Sequence, residues 1–249
     1  SVTSSPCIAV AAESADDGIL QITPSGSAKE CTAGSNAFRI CFTDPLQGEV
    51  MAKYIKDKGI NKIAMIYDVS NDYSKGIHDS FAAKFTELGG QLVDDESFSK
   101  GDIDFKTQLT KVKTSGAEAL FLPIYYTEVG YISQQAATLG LNIPYYGWGG
   151  IIKQLNGDTK NIEGATYLTP FVATDTSEKV QAFVNTYKEK YNAEPDQFAA
   201  DGYDAVYAIK AAIEKAGDDT SNEALVSAMT QISVNGLTGD MTFDENGEP

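Results

Sequence analysis

The sequence predicts an α/β fold in which a mostly parallel sheet is flanked by helices. Short apolar runs of strand length alternate with segments whose apolar residues recur at helical spacing. Gly89-Gly90 and Gly140 stand where two helical segments end, which is a common place for a residue that tolerates positive φ. Strands and helices that alternate along a chain form βαβ units, and the sheet of such units is parallel.

Six strands and two helices are predicted before residue 171. The strands are residues 19–23, 62–67, 91–94, 119–123, 144–147 and 165–170, and the helices carry the stripes Ile77, Phe81, Phe85 and Leu88, and Val129, Ile132 and Ala136. After Phe171 helix follows helix, with stripes in 180–191, 203–216 and 225–232, before residues 238–243 and a turn at 244–247. This change of rhythm predicts two lobes joined by more than one crossover.

Composition argues against nucleic acid as a partner. The chain has 35 acidic and 19 basic side chains, and its net charge of -16 repels phosphate backbones and anionic membrane surfaces. With 249 residues, 42% of them apolar, it can bury a sizeable core in one or two domains. No stretch approaches the ~18 continuous apolar residues that span a bilayer, and residues 1–6 lack the features of a signal peptide. The protein is therefore cytoplasmic, or its targeting segment lies outside this chain.

The three cysteines are predicted to be small buried residues. Cys7, Cys31 and Cys41 all lie near the start of the chain, and no Cys-x-x-Cys is present. An odd number cannot all pair internally, so neither a disulfide scaffold nor a zinc site is indicated. Free cysteine is among the most often buried residue types.

The patterns of common enzymes are missing from the sequence. It has neither a Gly-x-x-x-x-Gly-Lys loop nor a Gly-x-Ser-x-Gly elbow. The single histidine, His78, stands on the polar face of a predicted helix beside Asp79, and we expect it to be a solvated surface residue. Residues 68–72 alternate oxygen ligands as a calcium loop does, but Tyr73 stands where that loop needs glycine. We expect no catalytic residue, no metal and no cofactor.

Small hydroxyl residues follow the first predicted strand. Residues 23–27 read Thr-Pro-Ser-Gly-Ser, and two later loops end at Tyr73 and at Tyr125-Tyr126. In an open α/β sheet, loops at the carboxyl ends of strands hold small ligands, so hydrogen-bond donors and aromatic rings gathered there favour a binding protein. The alternative is that the serines only make a turn and the tyrosines only pack.

Five segments in collinear order resemble one family over essentially the whole chain. They are residues 38–48 (FRICFTDPLQG), 73–76 (YSKG), 101–105 (GDIDF), 123–128 (PIYYTE) and 242–247 (TFDENG). In them the chain resembles the periplasmic branched-chain amino-acid (Leu/Ile/Val) binding proteins, the type I solute-binding proteins of ABC importers. The resemblance implies two lobes that close on a small amino-acid-like or carboxylate ligand. The alternatives are a ligand-sensing receptor domain of the same fold and an α/β enzyme.

The resemblance also implies partners, a location and domain boundaries. The partner is an ABC permease in the membrane, and the location is extracytoplasmic, with the signal segment absent from this chain. Relatives carry a further strand-helix-strand-helix unit before this segment and another strand after it. The first lobe, residues 1–44 and 172–235, is therefore expected to be incomplete, whereas the second comprises residues 45–171 and 236–249. Apolar surface exposed on the first lobe would favour self-association.

The family's ligand contacts map onto specific residues of this chain. The carboxylate-binding serine falls at Ser4, the loop that grips the ligand's charged end at Ser25, Gly26 and Ser27, and the second-lobe tyrosines at Tyr73 and Tyr126, with Tyr125 as a register alternative. Hydroxyl and backbone N–H groups can share a carboxylate without a buried arginine.

One departure concerns the partner of the ligand's ammonium group. Relatives place an acidic residue where this chain has Gly149, and a buried ammonium group without a counter-charge is strongly penalised. The ligand therefore lacks an ammonium group, or its charge is met by the ring of Trp148 or by Asp201. Asp201 also fits a plainer account, an acidic residue near a helix N-terminus that the helix dipole favours.

Overall fold

The computed structural model describes residues 1–147 and 159–249, which form two compact units. Unit 1 is Ser1–Thr43 with Thr169–Pro249, and unit 2 is Asp44–Leu168, so the chain passes between the units twice. None of the helices in the described residues is both long enough and apolar enough to cross a membrane.

Helices and strands alternate along most of the chain. The helices are α1 (Ser4–Asp16), α2 (Asp44–Asp57), α3 (Asp72–Glu87), α4 (Lys106–Thr114), α5 (Tyr126–Thr138), α6 (Glu178–Tyr191), α7 (Gln197–Ala216) and α8 (Asn222–Met229). The strands are β1 (Gln21–Thr23), β2 (Ala37–Arg39), β3 (Lys62–Asp68), β4 (Gln91–Phe98), β5 (Ala119–Leu122), β6 (Tyr145–Gly147), β7 (Thr166–Tyr167), β8 (Ser233–Asn235) and β9 (Asp240–Thr242). Short 3₁₀ turns lie at Lys29–Thr32 and Thr159–Ile162.

Unit 2 is built on a parallel sheet of five strands in the order β4-β3-β5-β6-β7. All four neighbouring pairs are parallel. Residues 63–66 of β3 are all buried, as expected for a strand that helices cover on both faces. Leu120 of β5 packs with Ile132 of α5 on one face, and the adjacent Phe121 packs on Phe81 of α3, with ring centroids 4.2 Å apart. The predicted α/β class with a parallel sheet is confirmed.

Unit 1 contains the parallel pair β1-β2, the antiparallel pair β8-β9 and helices α1, α6, α7 and α8. Its main core joins Phe38 of β2 to alanines of α7 and to Met229 of α8. The sequence patterns indicate neither α1 nor β2. Helix α1 buries only Ser4, Cys7 and Ala11. A helix that buries only small residues has no apolar stripe to detect, and β2 is only three residues long.

The prediction that residues 236–249 belong to the second lobe is wrong. These residues lie in unit 1, where the ring of Phe243 meets that of Phe38 edge-on at 6.0 Å. The Arg39 N–H donates to the Gly247 carbonyl at 3.0 Å, and an added Cβ at Gly247 would stand 2.0 Å from the Ala37 carbonyl oxygen. The final turn therefore lies directly against β2, at a distance that only glycine allows.

The expectation that His78 is solvated is also wrong. His78 is buried, and its ring stacks on Tyr67 with centroids 3.8 Å apart. Its Nδ1 lies 2.8 Å from Asp79, and its Nε2 lies 3.1 Å from Asp95 of β4, the strand that follows α3. Burial opposes protonation, but these two carboxylates outweigh it and raise the pKa of His78. The residue thus joins α3 to the edge of the sheet.

A buried carboxylate attaches the segment after β8 to α7. Asp204 accepts hydrogen bonds from the backbone N–H groups of Leu237 and Thr238, at 2.8 and 2.9 Å, and from the Thr238 hydroxyl at 2.8 Å. The side chain of Asp204 is completely enclosed. A carboxylate that accepts several N–H bonds in a buried place stabilises a fold more than a neutral acceptor does.

Replacing Asp204 should therefore destabilise unit 1. Asp204→Asn turns an amide NH₂ group toward backbone donors, and we expect it to cost about 1.5–3 kcal/mol in the free energy of unfolding. Asp218→Asn, at an exposed position of the same unit, should change it by less than about 0.5 kcal/mol. Urea unfolding followed by circular dichroism measures both variants. Equal stabilities of the two would show that the Asp204 contacts contribute nothing.

Candidate functional site

The serine loop, residues 24–28, follows β1 and is held by hydrogen bonds from both sides. The Gly26 N–H donates to the Thr23 hydroxyl at 2.9 Å, and the Ala28 N–H donates to the Ser4 hydroxyl at 3.1 Å. Ser4 is buried at the first position of α1. The structure thus places Ser4, Ser25, Gly26 and Ser27 in one region of unit 1.

Gly26 is required by packing. An added Cβ at this position would stand 2.5 Å from the Thr23 hydroxyl oxygen, 3.0 Å from the Cys31 Sγ and 3.1 Å from the Cys7 Cβ. The first distance is shorter than any ordinary contact of a side-chain carbon. The loop can approach α1 this closely only because residue 26 has no side chain.

Arg39, the only arginine of the chain, fixes the far side of the serine loop. It is completely buried on β2, and all five of its N–H donors are used. Its partners are the carbonyl oxygens of Gly26, Ala28 and Lys29, the Thr32 hydroxyl and the Glu248 carboxylate, at 2.9–3.2 Å. Sequence reasoning missed this role, although a lone arginine in an apolar stretch was the available signal.

Ser25 and Asp201 are brought together from the two chain segments that form unit 1. The Ser25 hydroxyl donates to the Asp201 Oδ2 at 2.5 Å, across 176 positions of sequence. Asp201 is the fifth residue of α7, where the N-cap is Asp196 and the first turn holds no acidic residue. The helix dipole acts mainly within the first turn. Stabilisation by the helix N-terminus therefore does not explain Asp201.

The Asp201 carboxyl group stands in an unusual electrostatic environment. Burial raises its pKa from 3.8 to about 7, against the hydrogen bond from Ser25 and with help from the charges of Asp204 and Asp196. The side chain is 1% exposed, and its Oδ1 has no hydrogen-bond partner among the residues that the structure describes. A buried carboxyl oxygen without a hydrogen-bond partner costs free energy in the folded protein.

Three tyrosines were predicted to supply the second lobe's contacts, and all lie at helix N-termini of unit 2. Tyr73 is the second residue of α3, Tyr125 the N-cap of α5 and Tyr126 its first residue. The Tyr73 ring is 3% exposed and stacks on Tyr125, with centroids 4.9 Å and planes 19° apart. Burial, followed by Tyr125 and Asp44, raises the pKa of Tyr73 well above its ordinary value. The structure pairs Tyr73 with Tyr125 and leaves Tyr126 half-buried beside them.

The two remaining predicted site residues, Trp148 and Gly149, lie outside the described residues. No group of three or more His, Cys, Asp or Glu side chains in the described residues is placed to hold a metal ion. The candidate site in unit 1 therefore consists of hydroxyl groups, backbone N–H groups and one buried carboxyl group.

Comparison with known proteins places these features in a family. The family model described as "Periplasmic binding protein" matches residues 1–249. A Leu/Ile/Val-binding protein homolog of Brucella melitensis is 31% identical over 254 residues, covering 99% of this chain and 68% of that protein. This chain spans about two thirds of the length of the curated relatives it matches.

Solved structures show the same similarity. The crystal structure of a leucine-binding protein from Thermotoga maritima superposes with a TM-score of 0.91 at 33% identity, covering 99% of this chain and 72% of that one. A branched-chain amino-acid transporter substrate-binding protein from Streptococcus pneumoniae, solved with isoleucine, gives 0.87 at 29% identity, covering 100% of this chain and 72% of that one.

Replacing Arg39 should destabilise unit 1 even when the positive charge is kept. Arg39→Lys supplies at most three donors from a single nitrogen in place of a planar group that satisfies five contacts, and we expect a loss of about 3–5 kcal/mol in unfolding free energy. Glu248→Gln keeps an acceptor for the guanidinium group and should cost less. Urea unfolding measures both variants, and an Arg39→Lys protein as stable as the wild type would contradict this description of the loop.

Proposed function

The chain belongs to the periplasmic binding protein family, and on this premise we propose that it captures a small amino-acid-like ligand for an ABC importer. Its fold is the α/β fold of the type I periplasmic binding proteins, and solute binding is its function. Members of this family are binding proteins, and their location is extracytoplasmic. The identity of the ligand, the residues that hold it and the permease that receives it belong to the proposal.

The observation that carries the proposal is the contact between Ser25 and Asp201. A loop of serines and glycine is a place for hydroxyl and N–H donors, and the family resemblance assigns that loop to the ligand's carboxylate. The buried Asp201 adds a carboxyl group at the same loop, with one oxygen that no described residue satisfies. One region of unit 1 thus offers donors for an anionic group and an acceptor for a cationic one.

That combination suits an α-amino acid. Its carboxylate would accept hydrogen bonds from Ser4 and from donors of the serine loop, among them Ser27. Its ammonium group would lie against Asp201. Asp201 would then replace the acidic residue that relatives place where this chain has Gly149. An ammonium group paired with the Oδ1 atom of Asp201 would offset the free-energy cost of burying that carboxylate in its charged form. The names of relatives that bind leucine or isoleucine support the same ligand class.

Unit 2, taken by itself, carries the tyrosines that the family resemblance assigns to ligand contact. The stacked rings of Tyr73 and Tyr125 form a rigid pair at the carboxyl ends of neighbouring strands, β3 and β5. Tyr73 is buried and fixes the ring of Tyr125, which is the partly exposed member of the pair and can present its surface at little cost in side-chain entropy. Because Tyr125 is the residue that stacks on Tyr73, we favour Tyr125 over Tyr126 as the contact.

Removing the charge of Asp201 should weaken binding of an amino acid. We expect Asp201→Asn to lower the affinity for leucine roughly ten- to a hundredfold, because a bond to a charged group contributes about 1.5–3 kcal/mol. The substitution keeps the shape of the side chain, and Asp218→Asn is the matched control at an exposed acid of the same unit. Titration calorimetry measures the affinities. Leucine binding that is tight and unchanged in Asp201→Asn would exclude the proposed role.

The sign of proton exchange on binding should report the charge of the ligand. An ammonium group beside Asp201 lowers the pKa of that carboxyl from about 7, so binding at about pH 6 should release protons, whereas a ligand with only a carboxylate should release none. Calorimetry in two buffers of different ionisation enthalpy measures this, and Asp201→Asn should abolish the release. Proton uptake on leucine binding would be the contrary result.

Asp201 should also shape the stability of the ligand-free protein. The unfolded chain loses this proton near pH 4 and the folded protein near pH 7, so the folded state binds more protons in between and its stability falls as pH rises through that window. Asp201→Asn removes this fall. Chemical unfolding at several pH values measures the difference.

A further inference from the structure

Two of the three cysteines meet beneath the serine loop. Cys7 lies on α1 and Cys31 in the 3₁₀ turn that follows the loop, and both are completely buried. They form one apolar cluster with Ala28, the residue whose N–H bonds to Ser4. The structure confirms the predicted burial of all three cysteines, and it holds them as thiols.

The geometry turns the Cys31 sulfur toward Cys7. The Cys31 Sγ contacts the Ser4 carbonyl oxygen at 3.8 Å, and Ser4 stands one helical turn before Cys7 on the same face of α1. A Cβ added at Gly26 would lie 3.0 Å from the Cys31 Sγ and 3.1 Å from the Cys7 Cβ. The two side chains therefore lie against the same small space beside Gly26.

Neighbouring polar groups lower the pKa of the Cys7 thiol and so favour its thiolate form. The neighbouring Cys31 thiol, against the effect of burial, lowers the pKa of Cys7, and the same pairing together with burial raises the pKa of Cys31. The Gln21 Nε2 adds a contact to the Cys7 sulfur at 3.5 Å. A thiolate beside a second thiol is the arrangement from which disulfide exchange proceeds.

We propose that Cys7 and Cys31 form a disulfide bond that ties α1 to the end of the serine loop. An extracytoplasmic location supplies the conditions in which such bonds form and persist. The Cys7 thiolate attacks a disulfide of the oxidant, either a thiol–disulfide oxidoreductase or oxidised glutathione, and releases one of its sulfurs as a thiol. The Cys31 thiolate then displaces the second sulfur. The protein loses two protons and two electrons, and the oxidant's disulfide becomes two thiols.

The bond would act on the loop proposed to bind the ligand. It encloses residues 8–30, which include β1 and all of the serine loop, and it joins points on either side of Gly26. Such a crosslink reduces the freedom of the unfolded chain and so stabilises the folded loop. Cys41, which is also buried, takes no part in this bond. The odd number of cysteines is therefore compatible with one bond.

Counting thiols in the unfolded protein tests the proposal. The full chain is equilibrated with reduced and oxidised glutathione, the remaining thiols are alkylated in denaturant, and intact mass and peptide maps are recorded. We expect one alkylated thiol per chain, at Cys41, and a peptide that joins Cys7 to Cys31. Cys41→Ser should give no free thiol, and it should keep the bond because it leaves both partners in place. Reduction should lower the unfolding temperature of the wild type and of Cys41→Ser alike.

Three results would overturn the proposal. They are three free thiols after oxidation, mixed disulfides with glutathione in place of an internal bond, and a linked peptide that contains Cys41. A Cys31→Ser variant removes one partner and should leave no internal bond. If that variant fails to fold, the peptide map of the wild type still decides among these outcomes, because it needs no variant.

Discussion

The structure of unit 1 depends on a single buried cation. Arg39 stands on a short strand with no solvent to share its charge, so its five donors must all find acceptors within the protein. The serine loop provides carbonyl oxygens on one side, and the final turn provides Glu248 on the other. Because a partner lost from a buried guanidinium group leaves a charge uncompensated, both segments are held in place. The shape of the loop is thus determined by the chemistry of the strand beside it.

The loop in turn determines where Asp201 can find a partner. Arg39 and Ser4 hold the loop so that Ser25 reaches Asp201 on α7. Asp204, three positions after Asp201 on the same helix, attaches the segment after β8 to α7. Asp201 and Asp204 are both buried in this short stretch of helix, but only Asp204 has its oxygens satisfied by described residues. The difference between the two acids separates a structural role from one that we assign to ligand binding.

Much of unit 2 could be predicted from the sequence, and less of unit 1. The strands of unit 2 are buried apolar runs bounded by turns, a pattern that is visible without knowledge of the partner strands. Helix α1 buries only small residues, and β2 is three residues long and is held by contacts with a turn more than 200 positions away. Neither element therefore has a local sequence pattern that would reveal it. For the same reason residues 236–249 were placed in the wrong lobe. His78 was misjudged because its second carboxylate partner, Asp95, comes from another element.

The candidate site was predictable where the family pattern is local, and not where pairs are formed by folding. Ser4 and the serine loop could be mapped from the sequence, whereas the contact of Ser25 with Asp201 and the stacking of Tyr73 on Tyr125 required the structure. That any of these residues contacts a ligand stays a prediction, and Trp148 and Gly149 lie outside the described residues. The most direct test of the central claim, that Asp201 receives a cationic group of the ligand, is a calorimetric comparison of leucine with its deaminated keto-acid analogue. We predict that leucine binds and that the keto acid binds much more weakly; a keto acid that binds as tightly as leucine would contradict the account.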